Sequence, residues 1–125
     1  MNGTGYIVFA HGSSVASANE AVVAVTERMA AEGFEMVEAA FLEGGRPDLK
    51  TAAARLAAQG VRRIVVIPYF LTLGLHLQRD LPRLIEDLQR SNAGIEIEVT
   101  PPLDGHPALL EALVDRAKGA VCKQD

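Results

Sequence analysis

Two short segments of this chain are almost entirely apolar, and they constrain its fold more than any other feature. Residues 6–10 read YIVFA and residues 63–69 read RIVVIPY, with β-branched and aromatic side chains in continuous runs. A strand with one face in water alternates apolar and polar residues, whereas a strand covered on both faces reads as a continuous apolar run. The two segments therefore predict central strands of a parallel sheet between two layers of helices.

Two further strand patterns and four helical patterns complete the chain. Residues 36–41 form a weaker strand, and residues 95–99, IEIEV, alternate strictly, as in a strand with one apolar and one wet face. Pro47, Pro82 and Pro107 are predicted near helix starts, where the missing N–H costs little. Apolar residues recur at helical spacing after each strand: Val22, Val25 and Met29; Leu49, Ala52, Ala53 and Leu56; Leu81, Leu84, Ile85 and Leu88; Leu110, Leu113, Val114 and Ala117.

The character of the four strands also predicts their order. The first and third read as central strands, and the second and fourth read as edges. The order 2-1-3-4 satisfies this with right-handed crossovers throughout. We therefore predict an α/β fold, a flavodoxin-like three-layer αβα sandwich with a four-stranded parallel sheet, as a single domain over residues 1–125. Ligands of such sheets bind beyond the carboxyl ends of the strands where the strand order reverses, here between strands one and three.

Composition narrows the class of protein. Hydrophobic residues make up 49% and charged residues 22%, which is typical of a globular protein. The net charge of −4 argues against a nucleic-acid binder. No apolar run approaches the ~20 residues that span a membrane, and the first residues, MNGTG, do not read as a signal peptide. The single cysteine, Cys122, excludes an internal disulfide, so we expect a cytoplasmic protein that binds neither nucleic acid nor membrane.

Three metal-capable side chains follow the first three strands. His11 follows the first strand, Glu43 the second, and His76 is predicted in the loop after the third. Two imidazoles and one carboxylate suit a divalent ion such as cobalt, iron, nickel or zinc, with coordination positions left open. Taken singly, His11 reads equally well as a strand-end histidine bonded to backbone, and Glu43 reads more readily as a solvated loop charge. The coincidence of the three positions favours a metal site.

Two neighbouring segments fit a binding site but leave alternatives open. Ser13 and Ser14 lead into the first helix and could offer N–H and hydroxyl groups to an anion. Ordinary turn and capping chemistry, with Asn19, explains them equally well. The loop at residues 70–77 is unusually apolar. It predicts a pocket for a large flat apolar ligand, a subunit interface, or a loop folded back on the core.

Four segments of the chain match a known family. The stretches FAHGSS, AFLEGGRPDL, VVIPYFLTLGLHLQRDLP and PPLDGHPALLEALVDR resemble, in order, the short sirohydrochlorin chelatases of the class II family, the CbiX type. The resemblance covers nearly the whole chain. It implies insertion of a divalent metal substrate, cobalt or iron, into sirohydrochlorin for cobalamin or siroheme synthesis, with no organic cofactor. Longer relatives look like fused duplicates of this unit, so the resemblance also implies a homodimer with its active site in the cleft.

The resemblance assigns roles to individual residues. His11 and His76 match the metal-binding, catalytic histidines, and Glu43 matches their acidic partner. The family usually carries a charged residue soon after its histidine–glycine–serine, where this chain has Ser14 and Val15. The remaining candidates for substrate binding are Ser13, Ser14, Gly74, Arg46 and Arg79. The two arginines could pair with the substrate's carboxylates, and each reads equally well as a solvated surface charge.

The chemistry of metal insertion suits these residue types. The macrocycle must lose two pyrrole protons while the metal exchanges its ligands for ring nitrogens. A neutral imidazole can hold a metal weakly and also accept a proton. A non-catalytic metal or tetrapyrrole carrier would use the same three residues, so sequence alone does not separate binding from turnover. A phosphate-binding or receiver-type domain shares the fold, but the first strand lacks clustered aspartates and no glycine-rich nucleotide motif is present.

Overall fold

A computed structural model describes residues 3–123, so Met1 and Asn2 of the N-terminal segment MNGTG lie outside the described residues. Within residues 3–123, no helix is both long and apolar enough to cross a membrane. Strands and helices alternate along the chain: β1 (Thr4–Ala10), α1 (Ala16–Ala31), β2 (Val37–Phe41), α2 (Leu49–Ala58), β3 (Arg63–Pro68), α3 (Leu75–Ser91), β4 (Glu96–Val99) and α4 (Pro107–Lys123).

The four strands form one parallel sheet in the order β2-β1-β3-β4, which confirms the predicted topology. The register places Phe9 of β1 opposite Ala40 of β2 on one side and Pro68 of β3 on the other. Chain connections leave β1 and β3 in opposite directions along the sheet, so the strand order reverses between them. The crevice beyond their carboxyl ends is therefore the place where ligands of such sheets bind.

The continuous apolar runs are buried on both faces of the sheet, as predicted. Ile7 and Phe9 belong to a core cluster that also contains residues of α2 and α3. Their neighbours Val8 and Ala10 point the other way and pack with Val22 of α1. Helices therefore cover both faces of β1, which gives the three layers. At the edge, the alternation of β4 is also confirmed, because its isoleucine and valine pack towards the core and its two glutamates are exposed.

Helix α3 begins earlier than the apolar periodicity predicted. Gly74 is its N-cap, and the backbone N–H of Gln78 donates to the Gly74 carbonyl over 2.9 Å. His76 consequently lies in the first turn of α3, and the prediction that it lies in the loop after β3 was wrong. Pro82 lies inside the helix rather than near its start. Its ring removes one backbone hydrogen bond, but Pro82 is exposed, so water can reach the carbonyl left without that partner.

The apolar stripe predicted on the last helix exists but is not buried. Leu110 is 66% exposed, Leu113 69% and Val114 42%. Among residues 3–123, no strand and no other helix packs extensively against α4. Exposed apolar side chains clustered on one helix face are typical of a surface that another molecule covers.

Candidate metal centre

Backbone hydrogen bonds bring the residues after β1 and β2 together. The N–H of Leu42 donates to the carbonyl of Ala10, and the N–H of Glu43 donates to the carbonyl of His11, each over 2.9 Å. These bonds continue the pairing of the two strands past their carboxyl ends. His11 and Glu43, separated by a whole helix in sequence, therefore lie on adjacent backbone segments.

The close approach of these segments requires glycine at position 12. Gly12 has a φ of +90°, which L side chains rarely adopt. A Cβ at this position would lie 1.6 Å from the carbonyl oxygen of Glu43, far inside van der Waals contact. The glycine that follows His11 is thus a condition for the contact between the two loops.

Asn19 of α1 hydrogen-bonds to the loop after β1 and to the loop after β2. Its Oδ1 accepts the backbone N–H of Ser13 over 3.0 Å. Its Nδ2 donates to the carbonyl of Ser13 over 2.8 Å and to the carbonyl of Gly44 over 3.0 Å. One half-buried amide therefore joins the β1–α1 loop, which carries His11, to the β2–α2 loop, which carries Glu43. Sequence reasoning gave Asn19 only a capping role.

The side chains of His11 and Glu43 form the predicted imidazole–carboxylate pair. Nε2 of His11 lies 3.8 Å from Oε1 of Glu43, and both side chains are largely exposed, at 60% and 71%. The other ring nitrogen of His11, Nδ1, lies 3.2 Å from the carbonyl oxygen of Gly12. A carbonyl only accepts, so in the neutral ring this contact favours the proton on Nδ1 and leaves Nε2, on the side of the Glu43 carboxylate, as the nitrogen that can bind a metal. A metal-binding histidine is commonly oriented in this way.

An open cavity of about 280 Å³ brings His11 and His76 to one surface. Most of its other lining residues are apolar, and the complete set is His11, Leu42, Phe70, Gly74, Leu75, His76, Leu77 and Asp80. Much of the apolar loop predicted at residues 70–77 therefore borders the two histidines. This arrangement fits a flat, largely apolar ligand that presents metal-binding atoms near its centre.

Asp80 is a cavity residue that the predicted site did not include. It is half-buried and follows His76 by four residues in α3. Side chains four apart lie on the same face of a helix, so this signal was present in the sequence. A loop position for His76 predicts no such shared face, which is why the predicted site lacks Asp80.

His76 is in direct contact with Arg79. The guanidinium nitrogen Nη2 of Arg79 lies 3.2 Å from Nδ1 of His76. Nε of the same guanidinium lies 3.8 Å from Oδ1 of Asp80. Arg79, predicted as a partner of substrate carboxylates, therefore lies next to the cavity and against one of its histidines.

Of the remaining predicted substrate residues, only Gly74 lines the cavity with the histidines. Arg46 lines a separate polar cavity of about 460 Å³ beside Arg55. Ser13 is engaged locally, since its Oγ accepts the backbone N–H of Val15 over 3.0 Å. Ser14 is exposed. The turn chemistry left open at the sequence level thus accounts for Ser13.

The three predicted ligands are not assembled into one ready cluster. Within residues 3–123, no group of three or more His, Cys, Asp or Glu side chains is close enough together to hold a metal ion. His11 and Glu43 form one pair, and His76 and Asp80 lie with His11 around the cavity. Binding of a metal by all three predicted ligands would therefore require side-chain movement.

Comparisons with known proteins identify the family of this chain. The model of the CbiX family matches residues 5–120. A sirohydrochlorin cobaltochelatase of Saccharolobus islandicus is 32% identical over 118 residues, covering 90% of this chain and 91% of the relative. The chloroplastic sirohydrochlorin ferrochelatase of Arabidopsis thaliana is 35% identical over 116 residues. That alignment covers 90% of this chain but only 50% of the plant protein, so this chain spans about half of its length.

Solved structures show the same fold. A CbiX protein from Marinobacter aquaeolei VT8 superposes with a TM-score of 0.85 at 33% identity, covering 96% of this chain and 98% of that one. The sirohydrochlorin chelatase SirB from Bacillus subtilis subspecies spizizenii, in complex with cobalt, has a TM-score of 0.85 at 26% identity. It is matched over 93% of this chain and 50% of its own.

The fold and the site together define a class: an α/β protein with histidines and carboxylates at the strand-order reversal of a parallel sheet. With the match over residues 5–120 and the relatives above, the chain belongs to the CbiX family. The resemblance identified from the sequence is thereby confirmed.

Proposed function

We propose that this protein is a chelatase that inserts Co²⁺ or Fe²⁺ into sirohydrochlorin. The observation that carries the proposal is the pair formed by His11 and Glu43, in which Nε2 lies 3.8 Å from a carboxylate oxygen beside a cavity that His11 and His76 both line. Family membership and the names of the relatives support the choice of substrate. The metal is a substrate here, bound for delivery and released in the product.

In the proposed reaction, His11 and Glu43 hold the incoming ion. One imidazole and one carboxylate leave most coordination positions to water, so exchange for ring nitrogens is not blocked. The exposure of both side chains also keeps the ion labile. The pyrrole protons that leave the macrocycle need an acceptor near the ring centre. His76, which also lines the cavity, is the proposed third ligand. Once the ring nitrogens have taken the ion, His76 can accept one of the two pyrrole protons, and His11, which has then released the ion, can accept the other.

The walls of the cavity are suited to the macrocycle. Phe70, Leu75 and Leu77 offer an apolar surface to the ring face. Arg79 stands next to the cavity and can pair with a carboxylate at the ring edge, since a guanidinium binds carboxylates in a planar fork. Gly74 lines the same cavity. Arg46 lines a separate polar cavity, so its proposed contact is with a carboxylate that extends beyond the main site. Ser13 and Ser14, in the loop after β1, are the remaining proposed contacts.

A homodimer is the proposed assembly. The apolar stripe of α4 is exposed in the single chain, and no other element among residues 3–123 packs extensively on it. The Arabidopsis ferrochelatase and the cobalt-bound SirB chain are about twice as long as the segment they share with this chain. A second copy of this chain would supply the same amount of protein. A two-fold interface is self-complementary, so one apolar stripe suffices for both copies.

A cytoplasmic location remains a prediction. It rests on the single cysteine, Cys122, which excludes an internal disulfide of the kind common in oxidising compartments.

Anaerobic incubation with sirohydrochlorin tests the proposed activity. The purified protein is mixed with excess sirohydrochlorin and one of Co²⁺, Fe²⁺, Ni²⁺ or Zn²⁺, and metallated product is followed by absorbance. The proposal predicts many equivalents of product per chain with Co²⁺ or Fe²⁺, at a rate above that of the metal alone. Product limited to one equivalent per chain would instead identify a carrier, and no acceleration would refute both.

A further inference from the structure

The two cavity histidines contact groups that favour opposite tautomers of the neutral ring. Nδ1 of His11 faces the carbonyl of Gly12, which can only accept, so this contact favours the proton on Nδ1 and leaves Nε2 as the metal-binding nitrogen. Nδ1 of His76 faces the guanidinium of Arg79 at 3.2 Å. A guanidinium has five N–H donors and no acceptor. Nδ1 of His76 therefore accepts in this contact, which favours the neutral ring with its proton on Nε2.

This difference decides which histidine can bind a metal in the substrate-free protein. A metal ligand needs an unprotonated nitrogen whose lone pair is unused. His11 offers one at Nε2, directed at Glu43. His76 offers none, because Nδ1 is occupied by Arg79 and Nε2 is protonated. The positive guanidinium beside Nδ1 also repels an approaching cation.

The contact that blocks His76 is one that an anion can break. Arg79 is exposed and is held by His76 on one side and by the carboxylate of Asp80 on the other, at 3.8 Å. Exposed ion pairs of this kind are weak. A carboxylate that pairs with a guanidinium through two parallel hydrogen bonds competes well against a single bond to an imidazole. A carboxylate-bearing ligand in the cavity therefore has the means to draw Arg79 away.

We propose that Arg79 is a substrate-operated latch on His76. Without substrate, it denies His76 a free lone pair, so the metal is held by His11 and Glu43 alone. When a carboxylate of the tetrapyrrole takes the guanidinium, Nδ1 of His76 becomes free to bind the metal or accept a pyrrole proton. This inference rests on the proposed function. It makes Arg79 a positioning residue that couples occupation of the substrate site to completion of the metal site.

The tautomers can be read directly. Long-range ¹H–¹⁵N correlation spectra of ¹⁵N-labelled, metal-free protein distinguish Nδ1-protonated from Nε2-protonated rings. We expect His11 to be protonated on Nδ1 and His76 on Nε2. Arg79→Met keeps the aliphatic stem but removes every donor, so the preference of His76 should be lost. Arg83→Met, an exposed arginine one turn further along α3, is the matched control and should change neither ring. An Nδ1-protonated His76 in the wild type would overturn the proposal.

Metal affinity provides the second measurement. Titration with Co²⁺ in the absence of tetrapyrrole should show roughly tenfold tighter binding by Arg79→Met than by the wild type, since the variant gains a ligand. His76→Ala should abolish that gain in the Arg79→Met background and have a much smaller effect in the wild-type background. Equal effects of His76→Ala in the two backgrounds would contradict the latch.

Addition of metal-free sirohydrochlorin to the labelled wild type completes the test. We expect the His76 signals to leave the Nε2-protonated pattern as Arg79 is withdrawn, while His11 keeps its tautomer. Unchanged His76 signals in a protein that still metallates sirohydrochlorin over many turnovers would refute the latch and leave the proposed function intact. A protein without turnover would refute the function itself.

Discussion

Gly12 lies so close to Glu43 that a Cβ built on the glycine would stand 1.6 Å from the Glu43 carbonyl oxygen. The same carbonyl belongs to the residue whose N–H bonds to His11 and whose carboxylate faces Nε2 of His11. The contact between the two loops and the geometry of the imidazole–carboxylate pair therefore both depend on the close approach of Gly12 to the backbone of Glu43.

Gly12→Ala is expected to separate the loops and weaken Co²⁺ binding. Its matched control is Gly94→Ala, because Gly94 has nearly the same φ, +91°, with no atom within 4 Å of the position that an alanine methyl would take. In the control, the free energy of unfolding should fall only by the cost of an alanine with a left-handed φ, about 1–2 kcal/mol. Gly12→Ala should lose more stability and also metal affinity. Denaturant unfolding and Co²⁺ titration measure the two effects, and equal losses in both variants would contradict this account.

Glu43→Gln is expected to reduce metal loading without destabilising the fold. The Glu43 side chain is 71% exposed, so its charge contributes little to the free energy of unfolding. Its Oε1 lies 3.8 Å from Nε2 of His11, the proposed metal-binding nitrogen. We expect Co²⁺ affinity to fall roughly tenfold. Glu35→Gln, an exposed glutamate at the opposite end of the sheet, is the control. An unchanged Co²⁺ affinity in Glu43→Gln would exclude Glu43 from the metal site.

Asp48 gives the fold a defined dependence on pH. It is the N-cap of α2, and its carboxylate accepts the N–H of Thr51 over 2.8 Å. Hydrogen bonding from the Thr51 side chain, and then from this N–H, lowers the pKa of Asp48 below its ordinary value of 3.8. A carboxyl with a lowered pKa in the folded state stabilises the fold above its unfolded pKa. That contribution is lost as pH falls through the folded value.

Asp48→Ala should therefore cost about 1 kcal/mol near neutral pH. The difference in unfolding free energy between wild type and Asp48→Ala should shrink below a pH of about 4. Asp48→Asn keeps the cap without a titrating group, so its stability should vary less with pH in this range. Chemical denaturation from mildly acidic to neutral pH measures all three proteins. A wild-type advantage that grows as the pH falls would contradict the assigned cap.

The apolar stripe of α4 should hold the dimer together. Leu110→Ser/Leu113→Ser removes two exposed leucines, each worth about 1.5–3 kcal/mol if buried in an interface. We expect the dimer dissociation constant to rise roughly a hundredfold or more. The control on the same helix is Glu111→Ser/Arg116→Ser, which leaves the net charge unchanged. Sedimentation equilibrium showing a wild-type monomer at micromolar concentration would argue against the assembly.

The fold was predictable because its strongest signals are local. The continuous apolar runs at residues 6–10 and 63–69 identify β1 and β3 as central strands, and strand order follows from that contrast. The meeting of His11 and Glu43 also follows, since parallel neighbours end at the same edge of the sheet. Whether these residues bind metal stays a prediction.

The missing parts depended on contacts that sequence patterns do not record. Asn19 bonds to Gly44 across 25 positions, and no local motif signals that amide bridge. The start of α3 was missed because its N-cap, Gly74, makes no side-chain capping bond and Pro82 suggested a later beginning. Because of that error, His76 was predicted in a loop, and the helix face that it shares with Asp80 was not predicted. The exposure of the α4 stripe was not predictable either, because buried and exposed apolar stripes have the same helical spacing.

Removal of both histidines tests the central claim most directly. The rate of Co²⁺ insertion into sirohydrochlorin is measured for the wild type and for His11→Ala/His76→Ala, with circular dichroism and thermal unfolding as checks on the fold. Both side chains are exposed, so the double variant should fold normally. We predict that its insertion rate falls to that of Co²⁺ and sirohydrochlorin without protein. A folded double variant that inserts Co²⁺ at the wild-type rate would contradict the account.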